Sequence, residues 1–117
     1  MMENLTIADW TFRVDRNATR EHTIMNSTDH CLYPYCRNYY ETVDGAQPRL
    51  RQVLSLFGIQ LEGPSEVMPL QHNVILACYR VIGSIVRKGS LHLYVDDAEL
   101  FPEAGEDGSF LLWVGAM

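Results

Sequence analysis

Cys31 and Cys36 are separated by four residues and preceded directly by His30, a grouping that could either hold a metal ion or expose a reactive thiol. A four-residue spacer lies within the range found between structural zinc ligands. A closed zinc site needs four donors, however, and His30 and Cys31 are sequence neighbours that leave an extended chain in opposite directions. The remaining donors would have to come from Cys78, His22, His72 or His92, none of which belongs to a second closely spaced pair. Thiol chemistry is the other option, because Cys36 falls in the first turn of an expected helix, where the positive end of the dipole lowers a thiol pKa. Spacing sets no histidine beside it. The preferred reading therefore makes both cysteines small buried residues and expects no cofactor. Its alternatives are a structural zinc site using Cys31 and Cys36, and an enzyme with Cys36 as nucleophile.

The element that must position these residues begins at Pro34, whose missing N–H suits a first helical turn. The spacing predicts a helix over 34–44. Cys36, Tyr39, Tyr40 and Val43 form its buried stripe at i, i+3, i+4 and i+7, and Gly45 supplies a left-handed cap. Four of the six tyrosines crowd into residues 30–40, and Tyr35 and Tyr39 are candidate contacts for a partner.

The run Pro34-Tyr35-Cys36-Arg37-Asn38-Tyr39-Tyr40, the later Phe57-Gly58-Ile59 and then Pro64-Ser65-Glu66-Val67 resemble an uncharacterised family of small bacterial proteins, many from gut anaerobes. That family has no established activity, so the resemblance implies no reaction.

A second chemical feature is the acid-rich stretch containing Asp96, Asp97, Glu99, Glu103, Glu106 and Asp107. It lacks the register of alternating oxygen ligands and a bidentate glutamate that a calcium loop requires. As a solvated connector it would form an electrostatic patch for a basic partner. The whole chain points the same way, because its formal net charge of −6 repels phosphate backbones. Arg49 with Arg51, and Arg87 with Lys88, are the only close basic pairs, so no basic stripe compensates and no nucleic-acid ligand is expected. Apolar residues make up 47% and charged residues 21%, which suits a globular chain with its own core. No run reaches the length of a membrane span, and the N-terminus lacks a cationic region followed by an apolar one. Three cysteines, an odd number, fit a reducing compartment, so a cytoplasmic location is expected.

The 117 residues are expected to form one domain. Residues 4–14 alternate as strand, with a change of parity at Ala8-Asp9 that predicts a bulge or two short strands. Asp15-Arg16-Asn17 supplies a turn, and 22–26 is expected to return as a strand completing an N-terminal hairpin. Pro48 opens a second helix whose buried stripe is Leu50, Val53, Leu54 and Phe57, closed by Gly58. Gly63-Pro64 and Met68-Pro69 bracket a connector. Residues 74–86 fit a helix by spacing, but their Val and Ile content, with Gly83 inside, favours a long central strand bent at the glycine. Strands are expected at 91–95, with His92 and Tyr94 on one face, and at 110–114 in the sheet interior.

The predicted fold is α+β, an antiparallel sheet of the N-terminal hairpin and three C-terminal strands, covered on one face by two short helices. The predicted function is a small acidic, non-enzymatic binding or inhibitory module that engages a protein with a basic surface.

Overall fold

The computed structural model describes residues 2–27, 39, 41, 48–61, 63–69, 75–90, 93–95, 98–105 and 108–116. Cys31, Cys36, Tyr35, Asp96, Asp97, Glu106 and Asp107 lie outside the described residues, as do His72 and His92.

The parity change at Ala8-Asp9 is a two-residue turn. It folds β1 (Glu3–Ile7) back on β2 (Trp10–Val14), with Ile7 opposite Trp10 and Ala8 at a positive φ of 54°. The hairpin is therefore complete by residue 14, and the expected return strand at 22–26 is instead part of a helix, α1 (Arg16–Ser27). Asp15 caps this helix by accepting the Ala18 N–H at 3.0 Å, a bond that holds its carboxyl below the ordinary aspartate range. Residues read as turn chemistry are thus a helix start.

What hides α1 from apolar periodicity is the composition of its docked face. Thr19 and Thr23, one turn apart, are fully buried, whereas Ile24 and Met25 are exposed. Thr19 Oγ1 accepts the Ile82 N–H at 2.9 Å. Thr23 Oγ1 accepts the Gln60 N–H at 3.0 Å and donates to the Arg20 carbonyl at 3.1 Å. The loop beneath the helix carries Gly63, where a Cβ would collide with the Thr23 carbonyl oxygen.

The second helix, α2 (Pro48–Leu56), forms where its apolar stripe requires, with Leu50, Leu54 and Phe57 buried. Its end is a Schellman motif. Gly58 takes φ 85°, its N–H donates to the Ser55 carbonyl at 3.0 Å, and the Ile59 N–H donates to the Leu54 carbonyl at 3.0 Å. Tyr39 and Glu41 are helical, in the span predicted for the earlier helix.

Five further strands follow: β3 (Glu66–Pro69), β4 (Ile75–Arg87), β5 (Leu93–Val95), β6 (Ala98–Ala104) and β7 (Ser109–Ala116). Among the described residues, the seven strands pair antiparallel throughout in the order β1-β2-β4-β7-β6-β5, with β3 also on β4. The class is α+β, with more sheet than expected. One added strand, β3, occupies four residues of the connector at 63–69. The other, β6, corrects the reading of 98–104 as part of a solvated connector. Ala98 and Leu100 are buried while Phe101 and Glu103 point outward, the alternation of a half-buried strand. Among the described residues β5 pairs with β6 no further than Leu100, so Pro102 lies beyond that pairing.

The long strand β4 joins the two parts of the sheet. It pairs with β7 over Ile75–Ile82 and with β2 over Gly83–Arg87. The change falls at Gly83, at φ 147°, where a Cβ would collide with the Arg13 carbonyl oxygen. At the ends of the β3 and β2 pairings, the residues just before β3 and just before α1 continue the ladder. Ser65 N–H bonds the Cys78 carbonyl at 2.7 Å and Asp15 N–H bonds the Ile82 carbonyl at 2.8 Å.

The core gathers one face of the sheet around Phe12, which stacks on Phe110 at 5.4 Å and meets Phe57 edge-on at 5.2 Å. Two tyrosines cross it as a polar thread. Tyr79 donates its hydroxyl to the Leu61 carbonyl at 2.6 Å, so Tyr39 is the donor in the 2.8 Å bond between the two hydroxyls. Tyr39 is fully buried, which makes it a core residue and removes it from the surface contacts expected of it.

Candidate functional site

Strand alternation sends every second side chain of β3, β4, β5, β6 and β7 away from the core, and the register aligns them in rows. One row runs Glu66, Cys78, Trp113, Phe101 across four strands. A neighbouring row runs Met68, Leu76, Gly115, Glu99, Tyr94, and another runs Arg80, Leu111, Glu103. The result is an aromatic and aliphatic strip interleaved with carboxylates. Phe101 is 43% exposed and Tyr94 68% exposed, and Trp113 is half-buried between them and β4.

Two contacts give this face its shape. Trp113 donates its indole N–H to the Glu103 carboxylate at 3.0 Å, a diagonal contact that fixes the indole plane and leaves the second carboxylate oxygen available. The Phe101 ring lies over Gly115, 3.5 Å from where a Cβ would stand, an ordinary van der Waals distance.

Cys78 forms the floor of the strip. It is buried, and loss of solvation pushes its thiol from an ordinary 9.0 up to about 12. The negative charges of Glu66 and Glu103 push in the same direction, and Arg80 opposes them. At neutral pH this thiol is protonated, so it packs rather than reacts. Among the described residues no three His, Cys, Asp or Glu side chains are grouped to hold a metal ion. No described helix is long and apolar enough to cross a membrane.

Two of the six carboxylates singled out from the sequence, Glu99 and Glu103, therefore stand on this face, while the other four lie outside the described residues. Charge alone located them and gave no hint of the aromatic residues between them. Trp113, Phe101, Tyr94, Glu66 and Cys78 were missed. The available signal was in 110–114, where Phe110, Leu112 and Val114 suffice for the core, leaving Leu111 and Trp113 as apolar residues on the opposite parity. A strand that is apolar on both faces has two surfaces to cover.

Comparison of the chain with protein-family models, with curated proteins and with solved structures gives no match. What this face can bind follows from its side chains. Exposed rings beside carboxylates favour long cationic side chains, whose stems lie along the aromatics while their heads meet the acids. Aromatic anchors with a polar rim are also the composition of protein interfaces.

Proposed function

We propose that the chain is a non-enzymatic binding module that engages a protein segment carrying both basic and apolar residues across the outer face of its sheet, with the two helices on the opposite face. One observation carries this reading: the row Cys78, Trp113, Phe101 lies between Glu103 on one side and Glu99 on the other. The net charge of −6 supports it, since a negative field speeds encounter with a basic partner and opposes phosphate backbones. The odd number of cysteines supports a reducing, cytoplasmic setting.

The test uses a defined probe. An amphipathic peptide of alternating lysine and leucine is titrated into the protein while the Trp113 indole N–H signal is followed by NMR, beside a peptide with glutamate in place of each lysine. The lysine peptide is expected to give saturable shifts at Trp113, and the combined Phe101→Ser, Glu99→Gln, Glu103→Gln variant to lose them while keeping its thermal transition. Equal shifts from both peptides, or shifts unchanged in the variant, would remove this face from the reading.

A further inference from the structure

A cleft of about 470 Å³ opens on a different part of the molecule, between the first turns of α1 and the segment that follows α2. It is lined from the helix by Arg16, Asn17 and Arg20, and otherwise by Glu3, Ser55, Gly58, Ile59 and Gln60. Arg16 and Arg20 are one turn apart and so project from the same side of the helix. In a chain of net charge −6, two guanidinium groups facing one cavity are a local reversal of sign.

The two arginines are held differently. Arg16 is tethered, with Nη1 3.7 Å from the Glu3 carboxylate and Nη2 3.4 Å from the Ser55 carbonyl oxygen. Two acceptors for a five-donor fork leave N–H groups to spare. Among the described residues no acceptor meets the Arg20 guanidinium. The first-turn amides of α1 play no part, because Asp15 already accepts from them. The donors of the cleft are therefore side chains, two guanidinium groups with the carboxamides of Asn17 and Gln60.

We propose that this cleft binds a small organic oxyanion, a carboxylate or phosphate held between Arg16 and Arg20. Its volume lies within the range of small-molecule sites and exceeds what an inorganic ion needs, so the ligand extends beyond its anionic group. Glu3, beside Arg16 in the lining, is placed to accept from an amino or hydroxyl group on the same molecule. Planar, bidentate recognition is what a guanidinium supplies to either oxyanion. The cleft shares no residue with the outer face of the sheet, so the two proposals stand or fall separately.

The experiment titrates uniformly labelled protein with inorganic phosphate, succinate and 3-phosphoglycerate in separate arms at constant ionic strength, with sodium chloride as the blank. Saturable amide shifts confined to Gly58, Ile59, Gln60 and the Asn17 side chain are expected. Tighter binding of 3-phosphoglycerate than of phosphate would show that the cleft reads the organic part as well, and the succinate arm decides between phosphate and plain carboxylate. Arg20→Gln should weaken binding at least fivefold, while Arg87→Gln, on β4 away from the cleft, should leave it unchanged. Arg20 is exposed, so its replacement leaves the thermal transition in place and the comparison stays readable. Shifts that never saturate, that scatter over all cationic side chains, or that are equal in Arg20→Gln and the parent protein would overturn the proposal.

Discussion

Replacing Thr19 by valine tests the way α1 is attached. The side chain is fully buried, and its hydroxyl is the acceptor for the Ile82 N–H at 2.9 Å. Valine keeps the shape and removes the acceptor, leaving a part-buried strand amide beside a methyl group. Orphaning a buried donor costs about 1–3 kcal/mol, against a total stability of about 5–15 kcal/mol for a domain of this kind. Thr19→Ser keeps the bond and loses one buried methyl, at about 0.8 kcal/mol. Urea unfolding followed by far-UV circular dichroism gives both values. Hydrogen exchange then separates the mechanisms, because only the valine variant should accelerate exchange at Ile82 relative to its strand neighbours. Thr6→Val is the control, since the Thr6–Thr11 hydroxyl pair at 3.4 Å is exposed and its loss should change stability by less than about 0.5 kcal/mol. If Thr19→Val matches the parent protein in both stability and Ile82 exchange, the helix is held by steric fit alone and the argument from buried hydroxyls fails.

Leu54→Ala removes a fully buried side chain at the Schellman end of α2 and should cost about 2–5 kcal/mol; an unchanged denaturation midpoint would contradict the burial. Cys78 gives a prediction at alkaline pH. Its folded pKa, about 12, lies above the ordinary 9.0, so the unfolded chain ionises first. The stability it contributes is complete below the ordinary value and is lost as pH rises towards 12, at about 1.4 kcal/mol per unit. Unfolding measured at pH 8 and pH 10 should therefore fall more steeply for the parent protein than for Cys78→Ala, and parallel slopes would refute the assigned cause. In excess EDTA the near-UV circular dichroism and the melting temperature should be unchanged, because the core packs through apolar contacts; a collapse of either would identify Cys31 and Cys36 as structural zinc ligands.

The sequence is legible here wherever burial is achieved by apolar side chains at a single period. The stripe Leu50, Leu54, Phe57 with Gly58 behind it led directly to α2, and the β-branched run before Gly83 led to β4. Helix α1 was illegible because it docks through hydroxyls and presents Ile24 and Met25 outward, so its apolar residues mark the wrong face. Strand β6 was illegible because it buries only Ala98 and Leu100, while its two outward glutamates and Pro102 carry the composition of a loop. The candidate site was legible as charge and illegible as surface. Glu99 and Glu103 stand out in any sequence, but their meaning depends on Trp113 and Phe101, which only the strand register brings beside them.

The position of β4 also fixes the order in which the molecule can come into being. The hairpin β1–β2 leaves a ribosome before the rest of the sheet, yet the strand on its inner edge is far downstream, with Phe12 opposite Ile85 and Val14 opposite Gly83. Until that strand emerges, Trp10, Phe12 and Val14 have nothing to cover them. Helix α1 waits for the same strand, since the amide that Thr19 accepts belongs to Ile82. Folding is thus dominated by contacts between distant residues, the class of topology that closes slowly and leaves strand edges open meanwhile. A nascent chain stalled before residue 75 should be a target for chaperones, whereas one released after Arg87 already holds the strand on which both ends of the sheet assemble.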